Sequence, residues 1–86
     1  MRYVIFSPKE TAILAIIGDR KLKTLEIAEE LYGRKKRPLS WRNIVGPTIG
    51  RINEKCKYYK LNWCIDGEGL GRDGKTVWKD KREPKN

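Results

Sequence analysis

Of the ten charged side chains between residues 34 and 60, nine are basic and only Glu54 is acidic. Arg34, Lys35, Lys36 and Arg37 come first, Arg42 and Arg51 follow, and Lys55, Lys57 and Lys60 close the stretch. Its flanks are nearly balanced, with five basic and five acidic side chains in residues 1–33 and six and five in residues 61–86. The 86-residue chain has a formal net charge of +9, so the excess is concentrated in that one stretch. Side chains of this kind neutralise phosphates, and their clustering is the electrostatic footprint of a nucleic-acid site. A charged face that is simply solvated is the competing reading.

Inside the stretch, Val45, Ile49, Ile52, Cys56 and Tyr59 follow one another at spacings of 4, 3, 4 and 3, the repeat of a helix that buries one stripe. Asn43, Pro47, Gly50, Arg51 and Glu54 lie on or near the opposite side, with Thr48 and Lys55 flanking the stripe. On a helix seated in the major groove, Arg51 is the candidate to donate two hydrogen bonds to guanine O6 and N7. Thr48 is assigned to a thymine methyl or a phosphate and Asn43 to adenine, while Gly50 lets the backbone approach closely. Glu54 is either an acceptor for cytosine N4 or merely solvated. The candidate phosphate contacts are Arg34, Lys35, Lys36, Arg37, Arg42, Lys55, Lys57, Tyr58 and Lys60. Trp41, Trp63, Trp78, Tyr58 and Tyr59, aromatics among basic residues, also suit stacking of single-stranded bases. Trp63 and Tyr59, however, continue apolar patterns and are expected in the core.

Other chemistries find little support. The chain has no histidine, and its two cysteines, Cys56 and Cys64, do not form a CxxC pair, so a tetrahedral zinc finger is excluded. No nucleophile stands with a visible base, and "GEGLG" at 67–71 in its hairpin context lacks the strand–loop–helix setting of a phosphate loop. No catalysis, cofactor, metal or small-molecule substrate is expected. Val4-Ile5-Phe6 is too short for a secretory core and no segment approaches a membrane span, so the expectation is a cytoplasmic protein with reduced thiols.

The positioning elements follow from local signals. "RYVIF" at 2–6 has the composition of a short strand. "SPKE" at 7–10 places Ser7 at an N-cap, Pro8 at the first helical position and Glu10 at the third residue of a capping box. The helix buries Ile13, Ile16 and Ile17 and stops at Gly18. "KLK" at 21–23 is a candidate two- or three-residue strand. Thr24 is read as the cap of a second helix that buries Ile27, Ala28 and Leu31 and stops at Gly33. Gly46 and Pro47 allow two geometries for the basic helix: one starting at Ser40 and kinked at Pro47, or one starting with Pro47 as its first residue, which is the preferred expectation. "LNWCI" and "TVWK" then form a hairpin around a glycine-rich tip.

This order of elements, over about residues 8–79, resembles the winged helix-turn-helix family. "VGPTIGRINEKCK" is similar to the recognition helix of response-regulator DNA-binding domains, with Ile49, Arg51 and Ile52 on their apolar, basic, apolar triplet. "WCIDGEGLGRDGKTVW" resembles their wing, which implies roles for Arg72 and Lys75 beside the backbone or minor groove. The resemblance implies an α+β winged helix-turn-helix: a three-helix core, a C-terminal β-hairpin wing and a short N-terminal strand. The expected layout is one domain over 1–80 with a basic tail at 81–86. The expected function is sequence-specific binding of double-stranded DNA by a small transcriptional regulator, alone or with a partner protein, with a homodimer possible through Val4 and Phe6 of the first strand or through an edge of the small sheet. The alternatives are a protein-interaction adaptor on the same scaffold and an RNA or single-stranded nucleic-acid binder.

Overall fold

The computed structural model describes residues 5–69, 72 and 74–81. Helix α1 spans Pro8–Ile17, strand β1 Leu22–Lys23, helix α2 Thr24–Tyr32, helix α3 Trp41–Tyr58, strand β2 Trp63–Glu68 and strand β3 Thr76–Lys81. The described residues thus form three helices and a three-stranded antiparallel sheet of order β1-β3-β2.

α1 is closed by the expected capping box. The Glu10 amide donates to Ser7 Oγ at 3.2 Å and the Ser7 amide to Glu10 Oε1 at 2.9 Å, so two otherwise orphan donors are satisfied. Ile13 and Ile17 are fully buried, Ile16 packs at the margin of the core, and Gly18 ends the helix with φ 51°. α2 begins one residue earlier than the sequence suggests. Thr24 is its first helical residue, with its amide donating to the Lys75 carbonyl at 2.9 Å, and Glu26 Oε1 accepts from the Lys23 amide at 3.0 Å. Ile27 and Ala28 are fully buried, Leu31 half so, and Gly33 is the terminator.

The third strand is not the one expected at the N-terminus. Ile5 and Phe6 are not in a strand, and residues 2–4 of that expectation lie outside the described residues. Leu22 and Lys23 complete the sheet instead, paired with Val77 and Thr76. Phe6 packs its ring on Trp63, centroids 6.0 Å apart, so this segment is held by side chains rather than by a ladder.

α3 is a single helix through Pro47, contrary to the expected start at that residue. Proline removes the amide that would bond the Asn43 carbonyl, and its ring crowds the preceding turn. Asn43, Gly46 and Pro47 are all exposed, so the orphan carbonyl lies on the wet side of the helix. Gly46 has no Cβ to meet the proline ring, which relieves the restriction on the residue before proline. On the inner side, Trp41 and Val45 are buried in line with Ile49, Ile52 and Cys56, and this stripe holds the first turns on the core.

β2 and β3 pair from Trp63↔Lys81 to Glu68↔Thr76, with Ile65 and Val77 buried beneath. β3 therefore includes Lys81, leaving only 82–86 of the expected tail, outside the described residues. The outer edge of β2 is covered from α3: Asn53 Nδ2 donates to the Ile65 carbonyl and its Oδ1 accepts from the Ile65 amide, both at 2.8 Å. A side-chain amide standing in for a neighbouring strand blunts an edge that would otherwise offer its backbone to other chains.

The end of α3 carries a local cost. Leu61 N donates to Cys56 O at 2.9 Å and Lys60 N to Lys57 O at 3.2 Å, the two bonds of a Schellman motif. The left-handed residue this motif requires is Lys60, φ 54°, where glycine is usual. Lys60→Gly is expected to raise stability by about 1 kcal/mol, because the Cβ of an L-residue is strained there. Urea unfolding with an unchanged m-value would show it, and Lys60→Ala should give no such gain.

Candidate nucleic-acid interface

The buried stripe sets the rotation of α3 and therefore what faces outward. Arg42, Asn43, Gly46, Pro47, Gly50, Arg51, Glu54, Lys57 and Tyr58 are exposed. Two of the expected base readers, Asn43 and Arg51, are on this face. The third is not: Thr48 is 3% exposed and its hydroxyl donates to the Ile44 carbonyl at 2.6 Å. Thr48 borders the stripe closely enough to be swallowed by the core, where its hydroxyl satisfies itself on the preceding turn.

Lys55 also departs from its expected role. Its Nζ lies 2.6 Å from Glu10 Oε1 and 3.0 Å from the Ile5 carbonyl, and 5.7 Å from the centroid of the Phe6 ring. The Glu10 side chain is 3% exposed, so Lys55 neutralises a buried carboxylate on α1 instead of meeting a phosphate. Glu10 thus serves two helices, capping α1 and tying α3 to it. Burial raises its carboxyl, but the Lys55 ammonium and the bonds with Ser7 outweigh that, and it titrates below its usual 4.5.

The basic loop before α3 divides in two. Arg34 Nε pairs with Glu29 Oε2 at 2.9 Å, and Arg37 Nη1 lies 3.5 Å from Glu29 Oε1. Lys35 and Lys36 are exposed and, like Arg51, Lys57 and Lys60, form no ion pair with any described residue. Tyr58 is 73% exposed, its ring edge-on to Tyr59 with centroids 5.0 Å apart.

Trp41, which the sequence offered for base stacking and not for the core, organises the start of α3. It is 7% exposed, with the Arg42 guanidinium 5.1 Å from its ring and that of Arg37 6.0 Å away. Its position four residues before Val45 was the available signal. Arg42 also donates through Nη2 to the Arg72 carbonyl, linking α3 to the hairpin. Lys75 is exposed at the loop end of the hairpin, just before β3, while its carbonyl holds the Thr24 amide. Gly74 has φ 85°, and a Cβ there would collide with the Thr24 hydroxyl, so the hairpin sits directly on the start of α2.

Between the first half of α3 and this hairpin lies a notch of about 440 Å³. Trp41, Ile49 and Val77 form its buried floor, and Arg42 and Lys75 stand exposed around it. The thiols play no part in it. Burial, with Cys64 nearby, pushes Cys56 up to about 11, so it stays protonated as a core side chain. No cluster of three or more potential metal ligands occurs among the described residues, and no helix among them is long and apolar enough to cross a membrane.

No protein-family model matches the chain, and no curated protein and no solved structure matches it either.

The Glu10–Lys55 pair yields a stability prediction. Lys55→Met leaves a buried carboxylate without its partner and should cost about 3 kcal/mol, whereas exposed Lys57→Met should cost almost nothing. Because the folded value of Glu10 is depressed, its contribution is complete above its ordinary 4.5 and is lost as pH falls through the lower folded value. Urea unfolding from about pH 7 down to about pH 3 should show stability falling over that lower range, and less steeply in Glu10→Gln.

Proposed function

We propose that the protein is a winged-helix-type module that binds double-stranded DNA, with the outer face of α3 in the major groove, and that it acts as a small transcriptional regulator. The observation that carries this reading is the setting of Arg51: exposed, without an ion pair among the described residues, and at the middle of a helix whose opposite face is buried. The α1-β1-α2-α3-β2-β3 order, with β3 between β1 and β2, is compatible with a winged-helix layout and supports the docking mode. Base reading then rests on Arg51 and Asn43, since Thr48 is buried. Backbone contact falls to Lys35, Lys36, Lys57, Tyr58 and Lys60, with Arg42, Arg72 and Lys75 on the hairpin side. Arg34 and Arg37 reach phosphates only in competition with Glu29, and Lys55 is withdrawn from the set.

Arg51→Ala should weaken binding to a selected duplex by about 1–3 kcal/mol and flatten base preference at the position it reads. Replacing Lys35 and Lys36 with alanine should weaken every duplex alike and reduce the log–log salt slope by about 0.9 for each phosphate no longer neutralised. Selection from a randomised duplex pool followed by salt titration reads both. Equal losses on all sequences for Arg51→Ala would remove it from base reading, and failure to bind duplex at low salt would end the proposal.

A further inference from the structure

Groove docking takes only Arg42 and Lys75 from the notch between α3 and the hairpin and leaves its apolar floor unused, yet the notch has the features of a ligand site. Its volume of about 440 Å³ lies within the roughly 300–1,000 Å³ of small-ligand pockets. Its floor is apolar. Among the described residues, the charged side chains that line it are Arg42 and Lys75, both cationic. Arg42 is already held in place by the Trp41 ring and the Arg72 carbonyl, so little side-chain freedom is lost when an anion meets it.

The helix wall of the notch is unusually bare. Gly46 is accounted for by Pro47, but Gly50 has no such reason: a Cβ there would meet no atom within 4 Å. Glycine in a helix interior costs about 1 kcal/mol relative to alanine, and nothing in the protein's own packing requires it. Its absence of side chain keeps the notch open.

We propose that this notch binds a planar aromatic ring carrying an anionic group, the chemistry of a single nucleotide. The ring lies over Trp41, Ile49 and Val77, and the phosphate is held between Arg42 and Lys75. Asn53 also lines the notch, but its side-chain amide is engaged at both ends by Ile65, so the site has little means of reading base edges. It therefore accepts different bases with similar affinity. The ligand comes either from free mononucleotide or from an unpaired nucleotide of a strand, and the site stands independently of groove docking by Arg51.

Titration of the ¹⁵N-labelled protein with thymidine monophosphate should shift the Gly50 and Gly74 amides and the Trp41 indole saturably, with deoxyadenosine monophosphate within about threefold in affinity. Inorganic phosphate, thymidine and hexanoate should each bind at least about tenfold more weakly, having one half of the chemistry or lacking the ring. Gly50→Leu, whose side chain enters the notch, should abolish the shifts without lowering the melting temperature, because leucine favours the helix. A duplex with one unpaired thymidine that binds about tenfold tighter than its fully paired counterpart, with the gain abolished in Gly50→Leu, identifies the strand as the source. Equal affinity for the two duplexes alongside monophosphate binding identifies the free nucleotide. Hexanoate binding as well as the nucleotide, or neither monophosphate shifts nor a preference for the unpaired duplex, overturns the proposal. Arg51→Ala should leave the monophosphate shifts intact, so groove docking and notch binding fail or stand separately.

Discussion

The rotation of α3 about its own axis is the constraint on which the rest depends. Trp41, Val45, Thr48, Ile49, Ile52 and Cys56 are all buried on one side of it, and Lys55 is fastened to Glu10. Burial of Val45, Ile49 and Ile52 alone contributes about 5 kcal/mol or more. A proline in a helix interior costs about 3 kcal/mol, so the packed stripe outweighs it and the helix runs through Pro47. Turning α3 by one residue would expose isoleucines and bury Arg51 or Lys57 without partners. The outward display of Asn43, Gly50 and Arg51 is a consequence of what is hidden on the other side.

Elements announced by local chemistry were legible in the sequence. Ser7, Pro8 and Glu10 mark the start of α1 because a capping box is closed within four residues. Gly18 and Gly33 mark helix ends because the chain must take positive φ there. The stripe of α3 is written in its own spacing. What stayed hidden depended on distant partners. "KLK" was legible as a short strand, but not its pairing with Val77 and Thr76, and Ile5 and Phe6 lie outside the sheet because Phe6 meets Trp63 instead. The passage through Pro47 likewise follows from packing on both sides of it, whereas local rules favoured a fresh start.

The candidate site divides in the same way. Arg51 and Asn43 were legible because they oppose the apolar stripe. Thr48 and Lys55 sit at its margin, where sequence spacing cannot decide between core and solvent. A lysine there can lay its stem along apolar surface and carry its charge to whatever acid lies within reach. That acid is Glu10, 45 residues earlier, already identified as a cap but with no local sign of a second role. The place of Trp41 in the core was missed for a different reason, since a helix expected to begin at Pro47 left Trp41 outside it.

Pairing also changes what the basic stretch can offer a polyanion. Lys55 is neutralised inside, and Arg34 and Arg37 share Glu29, so charge counted along the sequence overstates charge presented at the surface. Lys35 and Lys36 stand before α3, Lys57 and Lys60 at its far end, and Arg51 between them. An 18-residue helix is about 27 Å long, so the cations without ion pairs bracket a span wider than the roughly 12 Å major groove. On the DNA-binding reading this spacing divides the work: terminal lysines meet the backbone on either side, while the central arginine reaches the bases. The strained left-handed backbone at Lys60 belongs to the same arrangement, since a glycine there would suit the helix end better but would remove one of the flanking charges.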